Sequence, residues 1–124
     1  ASRNITNKAF HESSDPISEN SCFNSLKKIT LDEYNFLHKI GFIKIDVEGH
    51  ELEIIRGGKN FLEHHKPVML IEIEERHAGK SPMDIIYEIC SRGYKCFIVN
   101  EKLKLIELSD PSKISNNNFI FKPK

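Results

Sequence analysis

The chain has 124 residues, and its 18 lysines and arginines balance its 18 aspartates and glutamates, so its formal net charge is zero. This length predicts a single domain with its own hydrophobic core, because it is too short for two domains. The balanced charge predicts no nucleic-acid partner and no binding to an anionic membrane surface. No apolar stretch is long enough to span a bilayer, and no signal-peptide pattern opens the chain. The three cysteines form no CxxC pair, which favours a reduced, cytoplasmic setting.

The amino-terminal part of the chain contains few regularly spaced apolar residues. Residues 1–28 are polar and rich in Ser and Asn, which predicts an irregular leader or loop. Thr30-Leu31-Asp32-Glu33 then forms a capping-box pattern, in which the threonine hydroxyl and the glutamate carboxylate can each bind the other residue's backbone amide. The pattern predicts a short helix over residues 31–38. Residues 29–124 are predicted to form one folded unit.

A buried strand and an interrupted helix follow. Residues 42–47 are mostly apolar, which is typical of a central parallel strand, although Lys44 lies inside the run. Apolar residues on one stripe predict a helix over residues 51–64. Gly57 and Gly58 lie inside this helix, where each glycine costs about 1 kcal/mol relative to alanine. We therefore expect either a close contact at these glycines or a break in the helix.

The second half of the chain repeats the alternation and ends in antiparallel elements. Ser81 followed by Pro82 marks a helix start, because serine caps the first amides and proline suits the first helical position. The helix is expected to end at Gly93. The other predicted strands are residues 68–73, 94–99, 103–108 and 118–121. This order predicts an α/β fold with parallel strands, and the closing hairpin predicts an antiparallel end of the sheet.

The main candidates for chemistry lie where the first strand ends. Ligands of open α/β sheets bind beyond the carboxyl ends of the strands, so Asp46 is predicted to face a ligand. Asp46 and Glu48 could orient a cationic group, hold a divalent ion or accept a proton from a hydroxyl. Glu48 and Glu51 are also explained as acids that favour the amino end of a helix.

Gly49 and His50 belong to the same turn. Gly49 either permits close approach to a ligand or is an ordinary turn glycine. His50 is placed where a general base would be useful, although an isolated histidine is more often a surface residue. The sequence alone leaves both alternatives open.

A second pair of acids follows the next strand. Glu72 lies near the end of strand 68–73, and Glu74 lies two residues further on. Because neighbouring parallel strands end at the same edge of a sheet, we expect these acids and Asp46 to form an acidic edge. Such an edge would repel a nucleic acid. Asp46 and Glu72 are the candidate ligands of a divalent metal, whereas Glu74 is also explained as a solvated loop residue.

Four short segments of the chain form an ordered pattern. They are Thr30-Leu31-Asp32, Ile43-Lys44-Ile45-Asp46-Val47-Glu48-Gly49-His50-Glu51, Ile55-Arg56-Gly57 and Pro67-Val68-Met69-Leu70-Ile71-Glu72. In order and spacing, they resemble the signature of the FkbM family of S-adenosylmethionine-dependent methyltransferases. The resemblance covers about residues 28–75 well and the rest of the chain loosely.

The resemblance implies a Rossmann-like methyltransferase fold, with a mostly parallel sheet and an antiparallel last strand. It also implies methyl transfer from S-adenosylmethionine to a hydroxyl oxygen of a sugar, glycan or polyketide-like small molecule. On this chain, the implied catalytic residues are Asp46, Glu48 and His50. The implied cofactor-binding residues are Asp46, Val47 and Gly49.

One part of the family pattern is missing from these residues. The glycine-rich first turn that grips the cofactor and the acid that binds its ribose are absent. We therefore interpret residues 29–124 as the carboxyl-terminal part of a methyltransferase domain, with the amino-terminal strands missing. Strand 42–47 would then be an open edge, which predicts a homo-oligomer that covers it. Such a piece is expected to be inactive or weakly active alone.

Two other functions remain open from the sequence. One is a non-catalytic α/β interaction module that kept the signature of the fold, which the missing cofactor turn favours. The other is a metal-dependent hydrolase or nuclease that uses Asp46, Glu48 and Glu72, although an acidic edge disfavours a nucleic-acid substrate. The intact acids favour an enzymatic parent, and the hydrolase or nuclease ranks last of the three functions.

Overall fold

A computed structural model describes residues 27–74, 81–110 and 116–124 of the chain. In chain order, its elements are β1 (Phe42–Ile45), α1 (Glu51–Arg56), α2 (Lys59–His65), β2 (Val68–Glu72), α3 (Pro82–Cys90), β3 (Tyr94–Val99), β4 (Leu105–Glu107) and β5 (Asn118–Pro123). All five predicted strands are present. The leader predicted over residues 1–28 lies almost entirely outside the described residues. None of the described helices is long and apolar enough to cross a membrane.

The five strands form one mixed sheet in the order β1-β2-β5-β3-β4. β1 and β2 are parallel, whereas β5 is antiparallel to both β2 and β3, and β4 is antiparallel to β3. The predicted antiparallel last strand is confirmed. The sheet is nevertheless mixed rather than mostly parallel, because β5 inserts between β2 and β3. Among the described strands β1 is an outer one. The open edge predicted there and the homo-oligomer that would cover it stay predictions.

The hydrophobic core lies on one face of this sheet. Its strand residues are Ile43, Ile45, Met69, Ile71, Tyr94, Cys96, Phe119 and Phe121, and the buried apolar residues of all three helices join the same core. On the opposite face, Leu70, Ile120 and Phe97 are in register across three strands but only half-buried, and Lys44 is exposed. Because side chains alternate between faces along a strand, β1 has one solvated face instead of the two apolar faces predicted.

The capping box closes a turn rather than a helix. The Thr30 amide donates to Glu33 Oε1 at 3.0 Å, and the Glu33 amide donates to Thr30 Oγ1 at 3.2 Å, so the predicted contacts are confirmed. The helix predicted over residues 31–38 is wrong, because only a turn follows the box. Leu37 is 80% exposed and Tyr34 is 40% exposed, so the segment does not bury a continuous apolar face as an amphipathic helix would.

Asp32, inside this turn, caps a helix that is distant in sequence. Its Oδ1 accepts a hydrogen bond from the Phe61 amide at 2.7 Å, and its Oδ2 accepts one from the Asn60 amide at 3.1 Å. These amides belong to the first turn of α2, where backbone donors lack partners within the helix. The turn therefore attaches residues before β1 to the helical layer.

The junction between α1 and α2 packs against the same turn. A Cβ atom at Gly57 would lie 2.9 Å from Thr30 Cγ2, and one at Gly58 would lie 2.7 Å from Leu31 Cδ1. Real Cβ atoms essentially never approach that closely, so a side chain at either position would force its neighbour to shift. The predicted break in the helix and the predicted close contact are both confirmed.

The start of α3 follows its sequence signal. Ser81 Oγ accepts a hydrogen bond from the Met83 amide at 3.2 Å, and Pro82 is the first helical residue. Cys90 and Cys96 are free thiols, and Cys96 is buried. Burial raises the pKa of the Cys96 thiol to about 12, so at neutral pH it behaves as a small apolar side chain.

Candidate functional site

The parallel pair of strands brings acidic side chains together. Ile45 of β1 is in register with Ile71 of β2. The residues that follow these two in the chain, Asp46 and Glu72, therefore lie side by side. Four carboxylates line a cavity of about 160 Å³ at this edge: Asp46, Glu48, Glu72 and Glu74. We call it the acidic cavity. The acidic edge predicted at the carboxyl ends of these strands is therefore confirmed.

The acidic cavity changes the protonation of Glu72. The charge of Asp46 raises the pKa of Glu72 above its ordinary value, and burial, a hydrogen bond with Asp46 and the nearby Glu74 act in the same direction. The cause is that a second negative charge is harder to create beside a first one. The cavity therefore favours a bound cation, which would offset the repulsion, and it disfavours an anion.

A tight turn connects this cavity to α1. Glu48 has a φ of 48° and Gly49 a φ of 104°, both in the left-handed region. The Gly49 amide donates a hydrogen bond to Glu51 Oε2 at 2.7 Å. Glycine adopts positive φ without steric conflict, so the tight turn predicted at Gly49 is confirmed. Glu48, the first residue of this turn, lies on the wall of the acidic cavity.

Two of the implied site residues lie away from the acidic cavity. The His50 side chain is 63% exposed, and its Nδ1 lies 3.2 Å from Glu53 Oε1 on the surface of α1. The Val47 side chain is buried in the hydrophobic core, so its side-chain atoms do not face a ligand. The catalytic role implied for His50 and the cofactor-binding role implied for Val47 stay predictions.

Glu51 lies behind the acidic cavity in a way that the sequence does not predict. The sequence groups it with Glu48 as an acid that favours a helix start, and such acids are normally solvated. The structure instead buries the Glu51 side chain completely, with one oxygen bound to the Gly49 amide. The available signal was the spacing, because a carboxylate two residues after a turn glycine can reach back to that glycine's amide.

Metal binding gains no further ligands from the structure. Four carboxylates line the acidic cavity, yet within the described segments no group of three or more His, Cys, Asp or Glu side chains is arranged to hold a metal ion. Metal binding by the pair of carboxylates Asp46 and Glu72 therefore stays a prediction.

A larger cavity of about 390 Å³ lies at the opposite ends of β1 and β2. We call it the aromatic cavity, because Phe36, Phe61, His64 and His65 are among its lining residues. One of these histidines has a structural role, since Nδ1 of His65 accepts a hydrogen bond from the Ile40 amide at 3.0 Å. The chemistry of open α/β sheets belongs to the carboxyl ends of the strands, and that rule favours the smaller, acidic cavity.

Comparison with known proteins agrees with this geometry. An α/β chain with a five-stranded mixed sheet and acidic strand ends is consistent with a methyltransferase-like fold. Residues 6–96 match the family model described as Methyltransferase FkbM domain. Because this match covers well over half of the chain, the chain belongs to the FkbM methyltransferase family. The resemblance read from the sequence is thereby confirmed. Comparisons with curated proteins and with solved structures give no significant match.

Proposed function

We propose that the acidic cavity is part of the active site of an O-methyltransferase that uses S-adenosylmethionine. The proposed acceptor is a hydroxyl group on a sugar, glycan or polyketide-like small molecule. One observation carries the proposal: within the segment that matches the family, Asp46 and Glu72 lie side by side at the carboxyl ends of β1 and β2. Open α/β sheets bind their ligands at this edge.

The charge of the acidic cavity fits S-adenosylmethionine, and its size fits a part of that molecule. The cofactor has a positive sulfonium and a positive ammonium group, which surrounding carboxylates attract. Pockets that enclose a whole small molecule are on the order of 300–1,000 Å³, whereas this cavity is about 160 Å³. We therefore assign the sulfonium and ammonium groups of the cofactor to Asp46. The carboxylate of the methionine part and the rest of the cofactor would bind outside this cavity.

When bound, the cofactor supplies an electrophilic methyl group, and the chain must then take the proton of the acceptor hydroxyl. A general base is most effective when its pKa lies near the working pH. The charge of Asp46 raises the pKa of Glu72, which increases the proton affinity of this carboxylate. We assign the pair a divided role, in which Asp46 attracts the cationic groups of the cofactor and Glu72 receives the proton.

Calorimetric titration of S-adenosylmethionine into the chain tests the assignment. Asp46→Asn keeps the shape of the side chain and removes its charge, so we expect an affinity about tenfold lower or weaker still. Glu53→Gln removes an exposed carboxylate outside the acidic cavity and should leave the affinity unchanged. Equal affinities of the Asp46→Asn variant and the unchanged chain would contradict the role of Asp46. No binding by the unchanged chain would contradict the proposal for this segment and favour the non-catalytic interaction module.

Transfer of an isotopically labelled methyl group tests the acceptor class. Acceptors are compared in matched pairs that differ only in carrying a hydroxyl or an amine at the same position of a sugar ring. We expect label on the hydroxyl compounds only. Label on the amines alone would contradict O-methylation while leaving methyl transfer intact.

A further inference from the structure

Glu51 is a buried carboxylate directly behind the turn that follows β1. It is the first residue of α1, and its side chain has no exposure to solvent. Its Oε2 accepts the hydrogen bond from the Gly49 amide, whereas its buried Oε1 has no hydrogen-bond partner among the described residues. Burying a carboxylate oxygen without a partner is unfavourable for folding. Packing alone does not account for this residue, because an apolar side chain of similar volume would fill the space without that penalty.

The turn that Glu51 contacts is strained. Glu48 and Gly49 both have positive φ, a conformation that glycine tolerates and glutamate adopts only where its surroundings enforce it. The hydrogen bond from the Gly49 amide to Glu51 Oε2 is short, at 2.7 Å. This bond closes the turn from the helix side.

We propose that Glu51 is a positioning residue of the acidic cavity. Its carboxylate holds the left-handed turn at Glu48 and Gly49, and this turn keeps Glu48 on the cavity wall and directs the chain away from the strand end at Asp46. The catalytic meaning of this role rests on the proposed function of the cavity. The conformational role can be measured without any cofactor.

NMR spectroscopy of the isotopically labelled chain measures that conformational role. Glu51→Met keeps the buried volume and removes the acceptor, whereas Glu51→Gln keeps an acceptor oxygen for the Gly49 amide. A residue with positive φ gives a strong cross-peak between its own amide and α protons, because these two protons lie close together. We expect this cross-peak at Glu48 in the unchanged chain and in Glu51→Gln, and its loss in Glu51→Met. Hydrogen exchange at the Gly49 amide should become about tenfold faster or more in Glu51→Met.

Ile89→Ala serves as the matched control. Ile89 is completely buried in α3, so its truncation weakens the core without removing a group of the turn. This variant should leave the signals of Glu48 and Gly49 unchanged. A strong Glu48 cross-peak with slow Gly49 exchange in Glu51→Met would overturn the proposal, and so would equal changes in the Ile89→Ala control.

Titration of S-adenosylmethionine into the same variants separates this inference from the proposed function. Weaker binding by Glu51→Met, with binding restored in Glu51→Gln, would support a positioning role in the cavity. Unchanged binding by a Glu51→Met variant that has lost the turn would overturn that role. If the unchanged chain binds no S-adenosylmethionine, the proposed function fails, and the NMR result still decides whether Glu51 holds the turn.

Discussion

The two ends of the parallel pair β1 and β2 use polar side chains in opposite ways. At the amino ends, His65 accepts a hydrogen bond from the Ile40 amide, and Asp32 accepts two from the first turn of α2. At the carboxyl ends, Asp46 lies beside Glu72 and raises its pKa. Acceptors paired with backbone donors stabilise a fold, whereas adjacent carboxylates oppose it until a cation arrives. Cavity size is therefore a poor guide to function here, because the larger cavity lies at the stabilising end.

The largest effect is expected from truncating a buried side chain near the amino ends of β1 and β2. Phe61 is buried, and its ring centroid lies 5.0 Å from that of Phe36 and 4.6 Å from that of His65. Phe61→Ala should lower the free energy of unfolding by about 3–5 kcal/mol, because it leaves a large void. Urea denaturation measures this change. Leu103→Ala, at a side chain that is 86% exposed, should change the same quantity by less than about 0.5 kcal/mol, and similar losses in both variants would refute the assignment of a structural role to this end.

A smaller effect is expected from removing the cap of α2. Asp32→Ala leaves the Asn60 and Phe61 amides without their acceptor and should lower the free energy of unfolding by about 1–3 kcal/mol. Thermal denaturation is a suitable measurement. Glu63→Ala removes an exposed acid from the same helix and should have little effect. If the two variants have the same melting temperature, the cap does not contribute as described.

Glu72, at the carboxyl end of β2, should make the folded chain less stable as the pH rises. Its pKa is raised in the folded chain, chiefly by Asp46, so the folded state holds the proton more tightly than the unfolded state does. The resulting stability is fully present below the ordinary pKa of 4.5 and is lost as the pH rises through the folded-state pKa. Glu72→Gln should flatten this slope of the unfolding free energy, by less than about 1 kcal/mol in total. Denaturation at several pH values checks it, and an unchanged slope would argue against the proximity of Asp46.

His65, near the amino ends of β1 and β2, should make the stability of the folded chain depend on pH in the opposite direction. Burial lowers its pKa, and the nearby positive charges of His64 and Lys39 lower it further. The stability from neutral His65 is present above the ordinary pKa of 6.5 and is lost as the pH falls through the lowered one, where protonation also removes the acceptor for the Ile40 amide. His65→Phe should flatten this slope, and the exposed His38→Gln control should not. We expect this effect to be the smallest of the four, since a single backbone amide depends on it, and equal slopes in the two variants would contradict it.

Local sequence patterns predicted the features whose contacts are local. Ser81 with Pro82 starts a helix, and Gly57 with Gly58 breaks one, because backbone geometry within a few residues decides both. The capping box at residues 30–33 predicted its own hydrogen bonds correctly but not the helix after it, because a single turn satisfies the same bonds. The acidic cavity was predictable because parallel strands end at a common edge, which places acids from two separate strand ends together.

Features that depend on distant contacts were not predictable in this way. Periodicity shows that β5 is a strand but not that it inserts between β2 and β3. Asp32 caps a helix nearly thirty residues further along the chain, so its spacing to Asn60 has no recognisable pattern. The burial of Glu51 depends on how α1 packs over the turn, and acids at a helix start are usually exposed. His50 lies close in sequence to Asp46, but the start of α1 directs its side chain to the surface.

The central position of β5 has a consequence for biosynthesis. Of the five strands, β5 is the last to leave the ribosome, yet it supplies the hydrogen-bonding partner that joins β2 to β3. Until residues 118–123 emerge, β1 with β2 and β3 with β4 form two separate ribbons, each with an open edge that can pair with a neighbouring nascent chain. The described sheet therefore closes only after residues 118–123 have been synthesised. A chain that stops before Asn118 would lack the strand that joins β2 to β3 and would leave an edge of each of them unpaired.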